Sequence, residues 1–136
     1  MSSDRELVNS IYHIGDIFEY DKDILLNDAL NYLEKIKKEL LNTTNNEIIE
    51  ACIDVICTAF LHIPHLDDFD ISFLDEYLNV ESSQILENII TILGSSGKIQ
   101  YRNVIRKYLL SNNQNIVDAA EEAVETLDFM VQQKEH

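Results

Sequence analysis

Apolar residues recur at three- and four-residue intervals along almost the whole chain, separated by short polar clusters that suit turns. Leu7, Val8, Ile11, Tyr12 and Ile14 form the first stripe, on a helix expected to open at a capping box, Ser3-Asp4-Arg5-Glu6, and to stop near Gly15. Ile24, Leu25, Ala29, Leu30, Leu33, Ile36, Leu40 and Leu41 predict a longer helix over Asp23 to Leu41. Thr44-Asn45-Asn46-Glu47 reads as a second capping box, opening a helix to about His62, beyond which Pro64 stops it. Asp70 is placed to cap a short helix over Ile71 to Asn79, with Phe73, Leu74, Tyr77 and Leu78 facing inward. Ser82 or Ser83 caps the next, which runs to Leu93. Gly94-Ser95-Ser96-Gly97 turns the chain into a helix over Lys98 to Leu110. Ser111 to Gln114 turns it again into one over Asn115 to Met130, with fraying from Gln132 onward.

The last of these helix pairs repeats an earlier plan. Moving back 31 positions carries Leu109, Ile116, Val117, Asp118 and Val124 onto Leu78, Ile85, Leu86, Glu87 and Leu93; moving back 37 more carries them onto Leu41, Ile48, Ile49, Glu50 and Ile56. Such periods mark arrays of stacked helical pairs. The expectation is therefore one all-α domain over residues 1–136 with about seven helices: a capping helix in 1–20, then pairs over 23–62, 70–94 and 98–130, in a right-handed stack. Only 3 glycines and 1 proline interrupt the chain, and strict apolar/polar alternation is missing, so an all-β fold is excluded.

Charge changes the picture most. Twenty-five acids against ten bases give a net charge of −15, which repels nucleic-acid phosphates and anionic lipid. Direct binding of nucleic acid or membrane is not expected; a basic partner, steered in by the field, is. The N-terminus MSSDRELVNS lacks a basic and apolar leader pattern, and Asp54 interrupts the longest apolar run, so a cytoplasmic chain with no membrane span is expected. Cys52 and Cys57 diverge around one helix and read as buried thiols of a reducing compartment.

The chain carries no motif for nucleophilic, metal or nucleotide chemistry. His62, His65, Asp67, Asp68 and Asp70 crowd one loop, but their spacing matches no recurring zinc pattern, and GSSGK lacks the spacing of a phosphate loop. No catalytic residue, metal, cofactor or small-molecule substrate is expected. What remains is surface. On the three second helices the repeat aligns Glu50, Glu87 and Asp118 in one column and Asp54, Thr91 and Glu122 in the next, flanked by Glu47, Glu121 and Glu125. No Lys or Arg occurs between Glu47 and His62, between Gln84 and Gly94, or between Asn115 and Gln133. An acidic partner-binding strip follows, continuing into Asp67, Asp68 and Asp70. Tyr12, Phe69, Tyr77, Tyr101 and Phe129 are candidate aromatic anchors.

The two-helix units, NIVDAAEEAVETL above all, resemble HEAT or armadillo repeats over about Asp23 to Met130, without the usual proline and Asp/Arg turn signature. The whole chain, small, acidic, rich in Asn and Ile and free of active-site motifs, looks like the immunity proteins of bacterial contact-dependent growth-inhibition systems. That resemblance implies an inhibitor of a basic nuclease toxin domain, such as an RNase A-like ribonuclease, delivered by a secreted effector. It defines no motif from which site residues transfer. The alternative is a HEAT-like adaptor that docks a basic protein or peptide.

Overall fold

The computed structural model describes residues 2–80 and 82–134, Ser2 and Ser3 by backbone alone, and among these residues every regular element is helical. The chain divides into two compact units, Met1–Phe69 and Asp70–His136.

The first unit holds α1 (Ser2–Tyr20), α2 (Leu26–Leu41) and α3 (Asn46–His62). α1 passes through Gly15 rather than ending there. A glycine inside a helix costs about 1 kcal/mol relative to alanine. Here the missing side chain is used, because a Cβ at position 15 would lie 3.1 Å from Val55 Cγ2 of α3. Val8, Ile11, Gly15 and Phe18 form the buried stripe, and Tyr12 stays out of it. Ser3 already lies within the helix, so the expected cap is not where α1 begins; the Ser3 side chain is outside the described residues. α1, expected as a cap on the first pair, packs along α3 more extensively than α2 does.

α2 starts three residues later than its apolar pattern suggested. Asp21 Oδ1 accepts from the Asp23 amide at 3.1 Å, turning the chain there, and Leu25 precedes the helix with its side chain largely exposed. Ala29, Leu33, Ile36 and Leu40 face inward; Leu41 does not. The cap of α3 is Asn45, one residue beyond the Thr44 that a capping box would use. Thr43 Oγ1 accepts from the Asn45 amide at 3.0 Å, and Asn45 Oδ1 accepts from the Glu47 and Ile48 amides at 2.9 and 3.3 Å. α3 is the central helix: Ile48, Ala51, Cys52, Ile53, Val55, Ile56, Cys57 and Ala59 are all buried. Beyond it the loop folds back to bury Leu66 and Phe69, with Phe69 beside Phe60 and Lys37 Nζ 6.0 Å from its ring centre.

The second unit opens with a 3-10 turn, Ser72–Tyr77, instead of an α-helix. Asp70 Oδ1 accepts from the Ser72 amide at 2.9 Å as expected of a cap. With only Leu74 buried inside the turn, too little apolar surface is gathered to extend it. α4 (Ser83–Ser95) is capped by Ser82, whose Oγ accepts from the Ile85 amide at 3.3 Å. The next helical stretch, Ile99–Leu110, is α only over α5 (Arg102–Lys107), with a 3-10 turn at each end. α6 (Gln114–Lys134) continues past Gln132, where fraying was expected, and residues 135 and 136 lie outside the described residues.

The two units share a plan. Each third helix, α3 or α6, carries both preceding helices of its own unit. Ser111 Oγ accepts from the Asn113 amide at 3.1 Å and Asn113 Oδ1 from the Asn115 amide at 2.9 Å, the same turn as Thr43 and Asn45 placed 68 positions on. A Cβ at Gly94 of α4 would lie 2.6 Å from Ala123 of α6, as Gly15 of α1 faces Val55 of α3. Val55 and Ala123 are again 68 apart, so the repeat seen between Ile48 and Ile116 is structural.

Candidate functional site

Helix geometry sorts the acidic residues. At 3.6 residues per turn, Glu47, Glu50, Asp54, Thr58 and Leu61 fall within about 80° of arc on α3. Every position outside that arc is buried or half-buried except Asn46 and His62 at the two helix ends. α3 therefore shows solvent one narrow stripe, and three of its five positions are carboxylates. The sequence brings this about by leaving Lys and Arg out of the helix and by closing all other sides with aliphatic residues.

The exposed Tyr12 of α1 stands beside that stripe. Partial burial, then the charges of Asp54, Glu50 and Glu47, push its hydroxyl above its ordinary range. Burial, and then Glu50, raise the Asp54 carboxyl. In both, burial is the larger cause and the acidic neighbours add to it. Among the described residues none of Glu47, Glu50 and Asp54 has an ion-pair partner.

On α6, Asp118, Glu121, Glu122, Glu125 and Phe129 lie within about 100° of arc, all exposed. Asp118 accepts from Gln114 Nε2 at 2.8 Å; among the described residues the other three carboxylates have no ion-pair partner. The edge of α6 next to Glu121 behaves differently. There Asp128 holds Arg102 with two bonds, 2.8 Å to Nε and 3.2 Å to Nη2, and that partner draws the Asp128 carboxyl below its ordinary range.

The remaining predicted residues are less prominent. Glu87 and Thr91 of α4 are half-buried, and Thr91 Oγ1 donates to the Glu87 carbonyl at 3.0 Å, a bond internal to the helix. Asp67 and Asp68 are exposed in the loop after α3, and Asp70 is exposed and serves as a cap. Among the described residues no group of three or more His, Cys, Asp or Glu is gathered so as to hold a metal ion. Two aromatic anchors are corrected: Phe69 and Tyr101 are only 1% and 8% exposed, so both belong to the core and neither can reach a partner. Tyr12 and Phe129 are exposed, Tyr77 half-buried. Leu61, 60% exposed at the end of the α3 stripe, was missed from sequence; its signal was its position three residues after Thr58 on the polar arc.

The buried thiols of Cys52 and Cys57 are unpaired, and burial pushes each up to about 12, so both stay protonated at neutral pH and are poor nucleophiles. No described helix is long and apolar enough to cross a membrane. No protein-family model, curated protein or solved structure matches the chain.

Proposed function

We propose that this chain binds a strongly basic protein through the acidic faces of α3 and α6, and that it acts as an immunity protein for a nuclease toxin domain. The supporting observation is the set of carboxylates on those faces that have no ion-pair partner among the described residues. Charges left uncompensated on a protein of net charge −15 attract a basic partner at long range and pair with it on contact. A ribonuclease or deoxyribonuclease domain supplies the complementary surface, since it must hold phosphates with Lys, Arg or His. Occupying those side chains with Glu47, Glu50, Asp54, Asp118, Glu121, Glu122 and Glu125 blocks substrate entry. No catalysis, cofactor or metal takes part in this reading.

A secreted-effector gene is expected directly upstream, and the test is coexpression with the C-terminal toxin domain that such a gene encodes. Wild-type chain restores growth against that toxin and not against unrelated ones, and a variant with those seven acids changed to Gln or Asn loses protection. Full rescue by the neutralised variant would refute the acidic-face reading.

A further inference from the structure

The 68-position repeat extends from the fold to the exposed faces. Glu50, Asp54, Thr58 and Leu61 of α3 correspond to Asp118, Glu122, Thr126 and Phe129 of α6. Both sets run acid, acid, threonine, large apolar residue, at steps of four, four and three residues. Both lie on the outward arc of the third helix of a unit. Leu61 is 60% exposed and Phe129 61%. A large apolar side chain left in water at both equivalent positions, beside two carboxylates, is a surface of the kind that marks a docking site.

We propose that α3 and α6 present two copies of one docking face, each taking a basic helical segment of a partner protein that ends in an aliphatic or aromatic anchor. This rests on the acidic-face reading and adds its register. The carboxylates of each copy stand about 6 Å apart along the axis, and the apolar residue about 10 Å further on. A matching helix carries Lys or Arg at i and i+4 and an apolar residue at i+11. The cations pair with the two acids, the threonine leaves room between, and the anchor covers Leu61 or Phe129. The two faces do not serve as each other's partner: no Lys or Arg lies between Asn46 and His62 or between Gln114 and Gln133, and the net charge of −15 opposes self-association.

The probe is a 16-residue, alanine-rich amidated helix with lysines at positions 3 and 7 and leucine at 14, titrated into the full chain labelled with nitrogen-15. Amide shifts are expected over both residues 47–61 and 115–129. Changing the peptide leucine to serine weakens both sites about tenfold. Leu61→Ser weakens only the first site and Phe129→Ser only the second; both residues are exposed, so the fold is not at stake. Equal binding of the leucine and serine peptides, or shifts on one helix alone, would overturn the duplicated face while leaving charge attraction standing. Binding of neither peptide would remove both readings, and equal binding of a glutamate version would do the same.

Discussion

Gly94→Ala isolates the contact on which the second unit is built. At the last residue but one of α4 the change should gain at most about 1 kcal/mol from propensity alone. Against that, the new Cβ lies 2.6 Å from the Ala123 Cα and Cβ and 2.8 Å from its carbonyl oxygen, where ordinary contact is 3.4–4 Å. Backbone cannot rotate away, so α4 and α6 must separate by about 1 Å, loosening Ile89, Leu93, Ala120 and Leu127. Overpacking of this kind costs about 3 kcal/mol at the upper end of its usual range, leaving a net loss of about 2 kcal/mol. For a unit of this size that lowers the midpoint of melting by roughly 10 °C. Gly15→Ala is the control: its nearest neighbour is Val55 Cγ2 at 3.1 Å, a side-chain atom that can shift, so propensity offsets crowding and stability stays within about 0.5 kcal/mol of wild type. Urea titrations followed by circular dichroism measure both. Ala123→Gly should not rescue Gly94→Ala, because the Cα and carbonyl clashes persist. A Gly94→Ala protein as stable as wild type would refute the close α4–α6 approach.

Two further outcomes follow from the titrating groups. Burial and Glu50 hold the Asp54 carboxyl above its ordinary range, so the folded chain binds that proton more tightly than the unfolded chain. The stability this lends is full below about pH 4 and is lost as pH rises through the folded value, so Asp54→Asn should be more stable than wild type at pH 7, with the advantage shrinking toward pH 3; parallel pH profiles would contradict it. Cys52 and Cys57, buried and held protonated, should resist iodoacetamide in the native protein and both react in urea; rapid native labelling would show the core to be open.

The all-helical class was legible because the 3.6-residue period is strong wherever one helix face is buried, as in Ala29, Leu33, Ile36 and Leu40. The correspondence between α3 and α6 was legible too, since Ile48 and Ile116 each enter the core just after a cap. Less visible was anything decided by a distant contact. Gly15 looks like a helix end in sequence yet lies well inside α1, and Gly94 is the last residue but one of α4; at each, another helix comes close. Leu25 matches the apolar stripe of α2, but the turn at Asp21 leaves it outside the helix. Phe69 and Tyr101 carry no sequence mark distinguishing them from exposed aromatics; only the loop that folds back after α3 and the packing around α5 bury them. Charge segregation pointed to the acids of α3 and α6, most of which are exposed, whereas Glu87 and Thr91 shared the alignment and are half-buried.

The single outward ridge of α3 has a cost for the free protein. Glu47, Glu50 and Asp54 stand one turn apart with the same sign, so the helix is held in place by its aliphatic sides against repulsion along its own edge. Added salt quiets that repulsion and firms up the lone molecule; under the proposed function the same ions would blunt its pull on a cationic visitor. On that reading ionic strength would trade robustness for capture, and a bound basic chain would give the fold what salt gives it, with none of the loss.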